Sequence, residues 1–411
     1  MKLAVSGFVS EQAGSVASAN ALLLRELLAR GHGIHFFSKA SFVDPRPAIG
    51  EHPGFRFFDV TNTGPDRLRR RVERLPVAGF LAGLFDSWTY NRLLVSEMAR
   101  RHAAEKYNLS LWLGEFSQGR MPGAPAVSFL QGPPGTDARS ILQRFDEIKG
   151  LAGPKVAAKL AALAKLRLSR IGLPAFANSD HFLVGSVQSK RTLHAVYGIS
   201  ENRVHSLPYP IDLDLFRLGE ANAGEGGGAL RVLSLGRIIP RKRLDLLLDG
   251  AVRAIGNGVD LQLTIVGGIG FVPGYEKLID AFPHPERLRW IKSVPRQEVP
   301  ALMRAHDVLA QPSDEENFGS SVAEAQACGL PVIVGRTNGN ADYLCLRDIH
   351  LTDDRPETMA IALREMAQRK IVGEWGDPGV SRRCAEQYFS LDKVTTQLLD
   401  VLQSVELARQ R

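Results

Sequence analysis

Residues 312–334 read PSDEENFGSSVAEAQACGLPVIV. Ser320–Ala327 has the pattern of a helix and Pro331–Val334 that of a short strand. Seven residues separate Glu316 from Glu324, and Gly319-Ser320-Ser321 falls where a loop becomes a helix N-terminus. Backbone N–H groups at such a start, with the helix dipole behind them, form an anion site. Glu324, about one turn into the helix, is placed to accept hydrogen bonds from vicinal ribose hydroxyls. Glu316, ahead of the turn, is placed to reach hydroxyls of a bound sugar. The competing reading is a pair of surface glutamates, as most glutamates are.

Upstream, residues 235–243 read LGRIIPRKR, directly after the strand Arg231–Leu235 and before a helix over Arg243–Gly256. Gly236 lets the chain turn, and Arg237 and Lys242 would point cations into the crevice at the strand end. Such cations neutralise the charge of a pyrophosphate leaving group; a solvated basic turn is the alternative. The same grammar runs through both halves. Lys2–Ser6, Ile34–Phe37, Ala126–Leu130, Ala175–Asn178, His181–Val184 and Val204–Leu207 read as strands, with a helix over Ser15–Arg30. Leu261–Val266, Leu288–Ile291 and Val308–Ala310 are the strands of the second half. Strands alternating with helices require parallel sheets with crossover connections. The expected α/β chain has two Rossmann-like domains, with a ligand cleft at the strand C-termini. Residues 1–218 form the first and 230–387 the second, joined by the Gly-rich linker 219–229. A C-terminal helix over about 388–411 is expected to pack back on the first domain.

The chain has 411 residues, 44% of them hydrophobic and 23% charged, which excludes disorder and collagen-like repeats. Three cysteines without a CxxC or Cys/His cluster argue against a disulfide framework or structural zinc. The run Met1–Val5 is too short for a signal peptide and no stretch reaches membrane-span length, so a cytoplasmic protein is expected. Residues 1–218 carry a net charge of +10 and residues 219–411 a net of −3. That asymmetry fits an anionic partner of the first domain, such as a phospholipid surface, or a merely Arg-rich surface. No nucleic-acid motif is present.

Taken together, GRIIPRKRLDLLLDG, LTIVGGIG, VPRQEVPALMRAHDVLAQPS and EENFGSSVAEAQACGLPVIV resemble, in order, the retaining glycosyltransferase family 4 of the GT-B fold. NSDHFLVGSVQSKRTLHAVYGISENRV and LPYPIDLDLF extend the resemblance upstream, and Glu11–Gly14 followed by LLRELLARGH is similar to the family's Gly loop and first helix. The resemblance implies transfer of a hexosyl unit from a nucleotide-diphosphate sugar, UDP-linked by preference, with GDP-mannose the other candidate. The acceptor would be a glycan or lipid-linked molecule in glycan, glycolipid or polysaccharide biosynthesis. It further implies that Arg237 and Lys242, after Gly236, bind the donor diphosphate, that Glu324 binds the ribose and Glu316 the donor sugar. Asn317, Phe318 and Gly319 would present backbone, Val294 would lie near the base, and Gly14 would close on the phosphates. The implied chemistry is front-side attack, the departing phosphate taking the acceptor's proton, with neither cofactor nor metal; Asp212-Leu213-Asp214 is read as a hinge element.

The chain departs from the family at two places. Gln131 in FLQGPPG stands where relatives carry a His near the sugar. Asp342 in Asn338-Gly339-Asn340-Ala341-Asp342 stands where they carry a Glu. Both are expected on the acceptor or sugar side. RLRRRVER (67–74), beside VAGFLAGLF (77–85), and the eight cations of 139–170 are the segments expected to touch an anionic membrane surface peripherally. The other readings are a second GT-B activity, a nucleotide-sugar 2-epimerase or a phosphorylase-like enzyme, and a catalytically silent nucleotide-sugar-binding module.

Overall fold

A computed structural model describes residues 1–11, 14–60, 76–114, 120–132, 135–169, 178–219 and 228–410, with backbone alone for 76–89, 409 and 410. Seven strands form the first sheet: β1 (Lys2–Gly7), β2 (Gly33–Ser38), β3 (Phe55–Asp59), β4 (Leu109–Leu113), β5 (Ala126–Leu130), β6 (His181–Val184) and β7 (Val204–Ser206). Six form the second: β8 (Leu230–Leu235), β9 (Leu261–Val266), β10 (Leu288–Ile291), β11 (Val308–Gln311), β12 (Val332–Val334) and β13 (Ile349–His350). Their orders are β3-β2-β1-β4-β5-β6-β7 and β10-β9-β8-β11-β12-β13, and every pair is parallel. The orders reverse at β1/β4 and β8/β11, which opens a crevice at the C-terminal ends of those strands.

Strand composition reflects burial on both faces: all five residues of β4 and of β5 are buried. Strands β3, β4 and β13 are not among those expected from the sequence: the short, largely apolar run of β4 cannot be told from a helix segment by periodicity, β3 sets Arg56 and Asp59 among its phenylalanines, and β13 is two residues long. Of the strand expected over Ala175–Asn178, only Asn178 is described, and it lies in a turn. Residues 220–227 of the linker lie outside the described residues.

The principal helices are α1 (Gly14–Ala29), α2 (Pro76–Glu105), α3 (Thr136–Gln143), α4 (Phe145–Ala152), α5 (Pro154–Arg167), α6 (Val187–Tyr197), α7 (Leu244–Gly256), α8 (Ser320–Ala327), α9 (Pro356–Ile371), α10 (Pro378–Phe389) and α11 (Leu391–Gln410). Packing departs from chain order at α3–α5. Ala138, Ile141, Ile148, Ala157 and Ala164 share one apolar core with Leu230, Val232, Leu247 and Ile265 of the second sheet and its helices. Lys277 donates to the Leu151 carbonyl at 2.6 Å, and the Tyr275 hydroxyl meets Glu147. The span 1–218 is therefore not one packing unit, since these three helices bury their apolar faces against the second domain. α11 lies against α1, where Arg30 donates to Asp392 at 2.8 Å and to Thr396 at 2.9 Å.

This packing also redirects charge. Arg139 pairs with Glu315 at 2.7 Å and Arg144 with Asp314 at 2.5 Å, so two of the eight cations of 139–170 face carboxylates of the second domain rather than an outer surface. Residues 67–74 lie outside the described residues. No described helix is long and apolar enough to cross a membrane. The three cysteines are free.

Candidate functional site

At the end of β8 the chain turns through Gly236 and Arg237, makes a 3-10 turn over Pro240–Lys242, and enters α7 after Arg243. Arg237 is exposed, with neither a hydrogen bond nor an ion pair to a described residue. Lys242 lines the same recess as Arg237, Gly236 and Gln311, but its ammonium is bonded to Glu316. Arg241, which sequence reading passed over, joins that pair. It is 2.9 Å from Glu316 and 2.8 Å from Asp137 of α3, so it ties α3 to the loop before α8. Burial alone would push the Glu316 carboxyl up; Arg241 and Lys242 outweigh it and hold it down, at about 2. Arg243 takes a left-handed φ of 55°. Its guanidinium is held by Asp245 at 3.1 Å and Asp314 at 3.4 Å.

The 316–319 loop is fixed from three sides. Gly319, at φ 83°, caps α8, and a Cβ there would meet Asn338 Oδ1 at 2.9 Å and Asn340 Nδ2 at 3.0 Å, so the tight start of α8 requires glycine. Asn340 donates to the Gly319 carbonyl at 2.7 Å and also to that of Phe318. The Phe318 ring is buried, with Tyr209 at 4.7 Å and Phe389 at 5.3 Å between centroids. Glu324 is buried one turn into α8, with Arg296 at 2.9 Å. Burial pushes its carboxyl up, and Arg296 offsets part of that.

The side chain of Asn317, whose backbone is expected to face the donor, bolts the two domains together. Its amide donates to the Leu130 carbonyl at 3.0 Å and to Tyr209, and accepts the Gly185 N–H at 3.1 Å. Gln131 departs from expectation. It is buried, its amide exchanges hydrogen bonds with Asn20 at 2.8 and 2.5 Å, and its carbonyl accepts the Tyr209 hydroxyl at 2.7 Å. With its polar groups so committed it braces the cleft rather than facing a sugar. Asp342 is exposed on a 3-10 turn, Val294 is half-buried against the core, and Gly14 is exposed at the start of α1. Asp212 accepts the Leu215 N–H at 3.0 Å, a local turn. Among the described residues no group of three or more His, Cys, Asp or Glu is placed to hold a metal.

The Asn317 bolt gives a direct test. A Cβ on Gly185 would lie 2.7 Å from Phe318 Cβ and 2.9 Å from the Asn317 carbonyl. Gly185→Ala should therefore cost about 1–3 kcal/mol, seen as a lower urea midpoint at unchanged slope.

Residues 221–370, which hold Arg237, Lys242, Glu316 and Glu324, match the family model described as glycosyl transferases, group 1. The C-terminal domain thus resembles the group 1 glycosyl transferases. The chain is also similar to the D-inositol 3-phosphate glycosyltransferase of Geodermatophilus obscurus, 32% identical over 40% of this chain and 39% of that protein. The D-inositol 3-phosphate glycosyltransferase 1 of Catenulispora acidiphila is 30% identical over 40% and 42%. The matched region thus spans about two fifths of the length of these curated relatives. Over the whole chain the fold is that of solved GT-B proteins. HepE of Anabaena, crystallised with UDP, aligns at TM-score 0.65 and 15% identity over 98% of this chain and 100% of that one. Sucrose-phosphate synthase of Thermosynechococcus elongatus aligns at 0.66 and 17% identity over 99% of each.

Proposed function

We propose that this chain is a retaining, metal-independent hexosyltransferase that moves a sugar from a nucleotide diphosphate to a glycan or lipid-linked acceptor in the cytoplasm. The reading is carried by one observation: Arg237, its guanidinium unpaired among the described residues, and Lys242 line one recess at the end of β8 with Gln311, which accepts a hydrogen bond from Ser321 in the first turn of α8. Cationic and dipolar groups preorganised where a diphosphate leaves are worth most in the transition state. UDP is favoured as the nucleotide because HepE, which shares the fold, is crystallised with it. A hydroxylated acceptor is in keeping with the relatives named for D-inositol 3-phosphate.

In this mechanism the bond from sugar C1 to the β-phosphate oxygen breaks while the acceptor hydroxyl oxygen bonds to C1 on the same face. The acceptor's proton passes to the departing phosphate oxygen, and Arg237 and Lys242 stabilise the charge gathering there. Glu316, ionised at neutral pH and held by Arg241 and Lys242, is aimed at the donor sugar, and Glu324 at the ribose.

Thermal shift with UDP and GDP tests the donor assignment, because a ligand at 100 times its Kd adds about 2.7 kcal/mol. UDP is expected to raise the melting temperature more than GDP, and transfer to survive excess EDTA. No shift with either nucleotide would overturn the reading. An absolute need for added Mn²⁺ or Mg²⁺ would overturn metal independence.

A further inference from the structure

Two of the three thiols face each other behind the 316–319 loop. Cys345 follows the 3-10 turn Gly339–Tyr343, and Cys384 lies on α10. Cys345 Sγ is 3.4 Å from Ser381 Oγ, one turn before Cys384 on α10. Cys384 Sγ in turn donates to the Tyr343 carbonyl at 3.2 Å, two residues before Cys345. Each sulfur thus touches the segment that carries the other, and the two thiols are bonded to one another. Both are half-buried rather than sealed off. Arg347 reaches Ser381 Oγ at 3.2 Å, and Asp348 accepts the Cys345 N–H at 2.8 Å. The bond from Cys384 pulls the Cys345 thiol below its ordinary value, against the opposing effect of burial, while the same bond pushes Cys384 up. Cys328, by contrast, is buried, and desolvation pushes its thiol up to about 12. One thiolate beside one thiol is the pairing that thiol–disulfide exchange uses.

We propose that Cys345 and Cys384 form a modification site, at which a small-molecule disulfide closes an intrachain disulfide that reduced thiols reopen. In the first step the Cys345 thiolate attacks one sulfur of the oxidant, forming a mixed disulfide while the other half leaves as a thiolate. In the second, Cys384 gives its proton to solvent and attacks Cys345 Sγ, releasing the second half. Overall, two protein thiols give two electrons and two protons to the oxidant, which departs as two thiols. In a reducing compartment such a bond is transient and redox-sensing rather than structural. Zinc is the other common occupant of paired thiols, but among the described residues no three His, Cys, Asp or Glu are placed to hold a metal. The bond ties together two segments that frame the site. Asn340 holds the Gly319 carbonyl at 2.7 Å, and the Tyr343 ring lies 6.4 Å from Phe318 and 5.3 Å from Phe389 between centroids. On α10, Arg382 donates to the carbonyls of Phe216 at 2.5 Å and Leu213 at 3.1 Å. Covalent closure brings the sulfurs nearer than a hydrogen bond does, so oxidation draws the Cys345 end toward α10 and disturbs the hold of Asn340 on Gly319. That effect on the donor rests on the transferase reading above; the thiol pair itself does not.

The full chain is equilibrated with oxidised glutathione, alkylated with iodoacetamide and digested without reductant for peptide mass mapping. Cys345 and Cys384 should appear in one linked pair of peptides, with Cys328 outside any disulfide, and dithiothreitol should remove the link. Cys384→Ser should hold Cys345 as a mixed disulfide with glutathione, and Cys345→Ser should leave Cys384 unmodified, because Cys345 is the attacking sulfur. The urea midpoint of each variant reports whether the fold is intact. UDP affinity should fall about tenfold in the oxidised chain, the worth of one hydrogen bond, and recover on reduction. Cys345→Ser should bind UDP equally with and without the oxidant. A chain that binds UDP but forms no link between Cys345 and Cys384 overturns the inference and leaves the transferase reading standing. So does a link to Cys328, or a linked chain of unchanged UDP affinity. Failure of the unaltered, reduced chain to bind UDP overturns the transferase reading, and the peptide map then decides the thiol pair by itself.

Discussion

Arg237→Ala is expected to slow turnover of the nucleotide sugar by about 10²–10³-fold, the cost of removing one preorganised group that stabilises transition-state charge. The loss should fall on kcat as well as on kcat/KM, because the charge on the leaving phosphate grows as the C1–O bond breaks. The same change should leave stability within about 0.5 kcal/mol, as for an exposed residue away from packed features, since Arg237 makes no ion pair with a described residue. Comparing kcat with the urea midpoint separates the two. Turnover like that of the unaltered chain would remove Arg237 from the diphosphate site.

Glu316→Gln should behave in the opposite way, losing stability along with turnover. The carboxylate is buried and shared by Arg241 at 2.9 Å and Lys242. Neutralising it leaves two buried cations with less countercharge, at a cost of about 3 kcal/mol. The pH dependence comes from a carboxyl held at about 2, below the ordinary value of 4.5. A depressed carboxyl contributes stability in full above the unfolded value and loses it as pH falls toward the folded one. Unfolding monitored from pH 5 to pH 2 should therefore show an acid limb worth about 3 kcal/mol. That limb should be missing in Glu316→Gln, and its survival there would assign it to other carboxylates.

The loop and helix that carry Glu316 and Glu324 were legible in the chain. E-x7-E set beside Gly319 locates the loop, the helix and both glutamates, because a helix N-terminus after a strand is a local feature written in a few consecutive residues. Gly236, Arg237 and Lys242 were legible for the same reason. Arg241 and Arg243 escaped notice because each of these arginines can be solvated or buried, and only their partners decide. Asp137 lies 104 residues from Arg241, and Asp314 lies 71 from Arg243. The side-chain role of Asn317 was not legible because family position says nothing about which carbonyl its amide will meet.

Alternation of strands with helices, apolar runs and Gly punctuation determined two parallel sheets and the crevice at their strand ends, since secondary-structure period and crossover handedness are local or topological constraints. The tertiary structure alone decided which domain carries α3–α5. Their apolar faces could have packed on either sheet, and they buried Ile141 and Ile148 against the second. It likewise decided that Gln131 braces rather than binds, because the commitment of an amide depends on which donors and acceptors surround it. A shallow recess beside Phe42 belongs to the same class. Phe8, Phe42 and Tyr90 lie on three separate segments, and a recess made by segments far apart in sequence exists only once the sheet has brought their ends together.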